Sequence, residues 1–206
     1  MPAAKRISKE AIIDAAAAVL RIGGFEAINA RSVAKALGCS TQPIYLSFRN
    51  MEELKSALTQ RAIEQHTQRV RESLRAHEGC DSRYSSYGMG FVQFAAQEKQ
   101  LFRWLYLEDN QPGRHQEDVL EPEIIRTVMD EFGYDEVTAR AFHRDMTYYS
   151  YGLAILANTG HLALTETELR EAFRREFRAL AAYYGPPKKL PEFASIIPLR
   201  GRLAKL

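Results

Sequence analysis

The chain has 206 residues, 46% of them hydrophobic and 26% charged, and a formal net charge of +2. This length allows one ordinary domain and a small one with a core that needs no staples, and the composition excludes a wholly disordered chain. Apolar runs such as 15–20 are too short to span a bilayer, and no long apolar segment follows the basic start, so neither a membrane partner nor a secretory signal is expected and the protein should be cytoplasmic.

No stretch alternates apolar and polar residues for long enough to read as strand, so the predicted fold class is all-α. Ser8 is a good N-cap for a first helix that runs to about Arg21, with Ile12, Ile13, Ala16, Val19 and Leu20 at three- and four-residue steps. Gly23-Gly24 ends it. Asn29 caps a short helix from Ala30 to Leu37 that turns Val33, Ala34 and Leu37 inward, and Gly38 closes it. Three residues later a third helix begins near Thr41, with Pro43 in its first turn, where a missing N–H costs nothing. Barely two turns long, it cannot be stable alone and must be held through Ile44 and Phe48.

Asn50 opens a long fourth helix from Met51 to about His77, whose apolar positions thin out toward Arg69–Arg75 as in a connecting element. Aromatic helices follow over Arg83–Gln97 and Gln100–Glu108, and Asn110–Gln116, with Pro112-Gly113, reads as a loop. Pro122 suits the first turn of a helix ending at Gly133, and Asp135 caps one running to about Asn158 before Gly160. Thr165-Glu166-Thr167-Glu168 is a capping box for the last long helix, which Gly185-Pro186-Pro187 terminates. The predicted division is residues 1–60, 61–185 and a basic tail at 186–206.

Charge is unevenly spread. Residues 1–50 hold seven basic and three acidic groups, a net +4; residues 186–206 hold five and one, again +4; the stretch between them carries −6. Attraction for a polyanion is thus confined to the two ends, although the tail charge can equally serve only to keep a terminus soluble.

A basic first segment, a three-residue turn between two short helices and aromatic residues just behind the second form a combination that resembles the TetR family of bacterial transcriptional regulators. The resemblance runs from about Ser8 to Leu58 and is carried by Ile13 and Ala16, Gly23-Gly24-Phe25, Arg31-Ser32-Val33-Ala34, Leu37-Gly38-Cys39-Ser40, Ile44-Tyr45, Phe48, Asn50, Glu52 and Leu54. Two positions depart from the usual pattern. Ser47 stands where a His is common, and Met51 where a Lys usually meets a phosphate, which leaves the fourth helix's N-terminal amides for that contact.

The resemblance implies that the third helix lies in the major groove of double-stranded operator DNA. Gln42 can pair with adenine, Thr41 can bond a base or touch a thymine methyl, and Pro43 and Leu46 offer apolar contact. Asn29, Ser40, Tyr45 and Ser47 suit backbone phosphates, with the Tyr45 ring packed and its hydroxyl outside. Lys5, Arg6, Arg31 and Arg49 add non-specific attraction. Cys39, in the turn, reads either as a small buried hydrophobe or as a redox-sensitive thiol.

Phe91, Phe94, Trp104, Tyr148 and Tyr149 belong to an aromatic middle that can be plain core or can line a pocket between 83–108 and 121–158; the resemblance implies a small-molecule effector, which the acidic middle would want apolar or aromatic. Leu169, Ala172, Phe173, Phe177, Leu180 and Tyr184, with Leu153 and Leu156 on the preceding helix, form faces that are either buried within the chain or complete a four-helix bundle in a homodimer. His66, His77, His115, His143 and His161 lie on different helices without i, i+4 pairing, so no metal and no cofactor is expected. No nucleophile–base spacing or phosphate loop supports an enzyme, and a non-specific DNA-binding protein is the third class to weigh.

Overall fold

The computed structural model describes residues 7–75, 82–108 and 112–188. Among them all regular structure is helical: α1 Lys9–Gly23, α2 Ala30–Leu37, α3 Gln42–Ser47, α4 Met51–Arg75, α5 Arg83–Gln97, α6 Lys99–Phe102, α7 Pro112–Phe132, α8 Glu136–Thr159 and α9 Glu166–Tyr184. A 3₁₀ turn, Phe25–Ala27, follows α1, and a π-helical turn, Arg103–Leu107, extends α6. His77, Cys80, the tail beyond residue 188 and the N-terminal Lys5 and Arg6 lie outside the described residues.

The caps form where the residue types ask for them. Ser8 Oγ accepts from the Ala11 amide at 3.1 Å, Asp135 Oδ1 from Thr138 at 2.8 Å, and Thr165 and Glu168 form the reciprocal capping box. Of Asn110–Gln116, expected as loop, the residues from Pro112 onward belong to α7. Pro112 supplies its preset φ at the first helical position, so the helix starts ten residues earlier than the expected Pro122 start. Pro122 instead sits inside α7, where one N–H is missing from the helical ladder.

The chain forms two compact units, residues 1–68 with 97–117, and residues 69–96 with 118–206. The first unit therefore takes in α6 and its π turn. In it α1 packs on α2 and on α6, and Ile12, Ala16, Leu20, Val33, Ile44 and Leu54 are buried. Arg21 pairs with Glu98 at 2.9 Å, and Phe25 stacks on Trp104 with centroids 4.6 Å apart. Tyr106 and His66 meet inside this unit, 2.5 Å from hydroxyl to Nε2.

The second unit is built on an aromatic cluster. Phe132, Phe142 and Phe177 lie within 4.9 to 5.9 Å of one another, centroid to centroid, and all three are buried. Glu131 of α7 caps α5 from outside that helix: Oε1 accepts from the Arg83 amide and Nε, and Oε2 from the Tyr84 amide. Gly88 lets α5 come close to α9, because a Cβ there would stand 2.8 Å from Cε1 of the buried Phe173. Tyr84 and His143 sit together with 2.8 Å between the hydroxyl and Nδ1, and burial pushes the His143 pKa down to about 4.

Two outcomes follow for stability. Gly88→Ala gains up to ~1 kcal/mol of helix propensity but overpacks the Phe173 ring at about 1–3 kcal/mol, so the thermal midpoint should fall by a few degrees; an unchanged midpoint would mean that the ring yields freely. His143 is neutral in the fold down to about pH 4, whereas the unfolded chain protonates it near 6.5. The unfolded state therefore binds more protons between those values, and stability should drop by about 3 kcal/mol as the pH falls through that window. Denaturant titrations at pH 7 and pH 5 should show much of the drop in the native chain and less in His143→Gln, which cannot ionise.

Candidate nucleic-acid interface

The interface is assembled from the turn outward. Asn29 Oδ1 accepts from the amides of Arg31 and Ser32, its Nδ2 donates to the Ala27 carbonyl, and Ser32 Oγ accepts from the Asn29 amide. This capping box starts α2, so the Asn29 side chain, expected on a phosphate, is already committed at both polar atoms. Gly38 closes α2 with φ 68°, a left-handed conformation that a side chain would strain, and its amide donates to the Lys35 carbonyl.

Thr41 then leads into α3 without a side-chain cap, and its carbonyl accepts from Ile44 and Tyr45. Six residues cannot hold a helix by themselves. Ile44 is fully buried and Phe48 2% exposed, so one side of the helix is fastened to the unit. Gln42, Tyr45 and Leu46, at i, i+3 and i+4, consequently share the outward side. Leu46 is 80% exposed and Tyr45 54%, so the Tyr45 ring, expected to be packed, stands half in solvent. Ser40 is exposed beside this face, and Thr41, Pro43 and Ser47 border it half-buried. Cys39 is a free, half-buried thiol 3.2 Å from the Ser40 carbonyl, so it does not fill the core as a small hydrophobe would.

From Gly38 to Phe48 no side chain is charged. Cations flank the stretch instead: Arg31 and Lys35 on α2, and Arg49 just after α3, are exposed and make no ion pair among the described residues. Lys9 is engaged differently, 3.7 Å from Glu53 and 4.6 Å above the Phe48 ring. At the start of α4 one amide, that of Glu53, is already taken. Asn50 Oδ1 accepts from the Glu53 amide, Glu53 Oε2 accepts from the Arg49 amide, and that hydrogen bond holds the Glu53 carboxyl below its usual range.

Residues 12–58 match the family described as bacterial regulatory proteins, tetR family. That segment is similar to the N-terminal region of TetR-family transcriptional regulators. Solved structures share the chain's fold, two of them as follows. One is the fatty acid degradation regulator FadR from Bacillus halodurans, with a TM-score of 0.54 and 16% identity over 84% of this chain and 93% of that one. The other is a candidate transcriptional regulator from Pseudomonas aeruginosa PAO1, with a TM-score of 0.56 and 17% identity over 84% and 90%. No curated protein matches. Among the described residues no helix is long and apolar enough to cross a membrane.

The five aromatic pocket candidates are dispersed. Trp104 is in the first unit, 4% exposed against Phe25. In the second, Phe91 is buried 5.0 Å from Tyr151, Phe94 is buried in α5, Tyr149 donates to the Ala172 carbonyl at 3.3 Å, and Tyr148 is 68% exposed. A cavity of about 20 Å³ lies in that unit beside Tyr84, Phe132, Met146, Phe173 and Phe177. A groove of about 300 Å³ opens in the first unit along Leu20, Leu58, Ala62 and Leu101, rimmed by Arg21 and Arg61. Sequence reasoning missed that groove and the Phe25–Trp104 stack, since both depend on α6 joining the first unit across many residues of chain.

Gln42 and Arg49 are expected to separate reading from attraction. Gln42→Ala should relax preference at one base pair per half-site, at ~1–3 kcal/mol per bidentate pair lost, while Arg49→Ala should weaken all sequences alike and flatten the salt dependence. Binding of both variants across one panel of operator variants at several salt concentrations checks this, and identical profiles would contradict it.

Proposed function

We propose that this regulator is a ligand-responsive repressor that binds a palindromic operator as a homodimer, and that it is not an enzyme. The observation that carries the reading is the α3 face: Gln42 and Tyr45 point outward with polar groups that no other described residue engages, on a helix fastened by Ile44 and Phe48. Gln42, Thr41, Pro43 and Leu46 address base edges; Ser40, Tyr45, Ser47, Arg31 and Arg49 address phosphates. With its amide spent on the cap, Asn29 serves by starting α2.

One such helix touches too few bases for useful specificity, and a two-fold partner doubles the contact. The partner's seat is a stripe on α8, where Tyr148, Ile155 and Leu156 are exposed at i, i+7 and i+8, together with Tyr183 on α9. Burial of these side chains in a four-helix bundle removes apolar surface that the single chain leaves in water. The effector is apolar or aromatic, because the stretch 51–185 is acidic and a phosphorylated molecule would want clustered Arg and Lys. A site among Phe91, Phe94 and Tyr149 must open to admit it, since Phe91 and Phe94 are buried. Release of DNA then requires that the ligand favour the non-binding state by a few kcal/mol. The Tyr84–His143 and Tyr106–His66 pairs lie inside the units and serve packing, not acid–base chemistry.

Light scattering at micromolar concentration should give a dimer for the native chain and a monomer for Leu156→Asp, with half-sites about 34–36 Å apart, or a multiple of that, needed for tight binding. A native monomer that binds a lone half-site as well as the full operator would overturn the dimer. Hydrogen exchange in the presence of an operator-releasing ligand should show new protection over 83–97 and 136–159. Protection confined to other segments would overturn the effector site.

A further inference from the structure

The geometry points to an operator half-site read by α3 through A·T pairs, an adenine for Gln42 and, about two base pairs away, a thymine methyl for Leu46, with no guanine recognised by this helix. The inference rests on the reading of the chain as an operator-binding regulator and specifies what that operator contains.

Three observations combine. The segment Gly38–Phe48 has no charged side chain, although Ser40, Gln42, Tyr45 and Leu46 are exposed and a quarter of the whole chain is charged. A solvent-facing helix surface ordinarily carries charge, so neutrality here marks a surface made for something other than water. Arg and Lys are the side chains that grip guanine O6 and N7, and those nearest to α3 in sequence, Lys35 and Arg49, lie outside it. The Gln42 amide makes no hydrogen bond to any described residue, which leaves both its donor and its acceptor for the N6 and N7 of an adenine.

Leu46 supplies the third. It is 80% exposed, on the same side of the helix as Gln42 and one turn further on. Single exposed leucines need no explanation, but this one stands beside an uncommitted amide on a neutral reading face. The group in the major groove that rewards an apolar side chain is the thymine C5 methyl. Four residues of helix advance about 6 Å, close to two base-pair steps of ~3.4 Å, which sets the spacing between the adenine and the thymine.

The test selects binding sites for the full chain from random duplex DNA, then replaces each thymine of the selected half-site by deoxyuridine, which removes only the methyl. Half-sites with adenine and thymine about two positions apart are expected. Uracil at that thymine should weaken the native chain about fourfold per methyl and leave binding by Leu46→Ala unchanged, while 7-deazaadenine at the adenine should weaken the native chain about tenfold and leave Gln42→Ala unchanged. Leu46 and Gln42 are exposed, so neither truncation disturbs the fold, and the modified DNA needs no protein variant at all. A half-site whose core is guanine, or one in which the native chain tolerates uracil at every thymine, would overturn this inference while operator binding stands. Selection that enriches no sequence would overturn the operator reading and this inference with it.

Discussion

Everything proposed for this molecule depends on a six-residue helix that cannot exist by itself. Helix nucleation is unfavourable, and two turns without a side-chain cap gain too little to offset it. Burial of Ile44 and Phe48 supplies what is missing, about 1.5–3 kcal/mol for each side chain removed from water. Because these anchors occupy one side of α3, the other side is fixed in direction as well as in conformation. The outward placement of Gln42, Tyr45 and Leu46 is a geometric consequence of which residues are buried.

Around that helix the structure divides labour between neutral and charged groups. The turn and α3 carry no charge, whereas Arg31, Lys35 and Arg49 stand on either side without ion pairs among the described residues. Cations placed this way attract DNA without competing for base edges. Other charges near the site are spent internally: Lys9 and Glu53 hold each other, Arg61 meets Asp14 at 3.1 Å, and the Asn50 and Glu53 side chains satisfy amides at the start of α4.

The local structure was legible because its determinants are local. Ser8, Asn29, Asp135 and Thr165 cap the helices that their side chains predict, Gly24, Gly38 and Gly160 take the positive φ that ends them, and Ile44 and Phe48 anchor α3. What escaped the sequence is set by contacts distant along the chain or by competition between local rules. Pro112 and Pro122 both qualify for a first turn, and only the packed helix decides between them. Asn29 was expected both to cap α2 and to meet a phosphate, and its three hydrogen bonds form the cap. Trp104 carries no sign of its own that it stacks on Phe25, about eighty residues earlier. Tyr45 has an amphipathic side chain whose burial follows from its neighbours, and here they leave the ring half exposed.

The central claim is that α3 is preformed by its anchors before any DNA arrives. Amide hydrogen exchange of residues 42–47 in the DNA-free chain measures this directly. Slow exchange at Phe48 and at those α3 amides that are bonded within the unit, with opening free energies close to those of α1 and of the first turns of α4, is the predicted result. Exchange there at unfolded-chain rates, while α1 and α4 remain protected, would show that the reading helix forms only on DNA and would contradict the account.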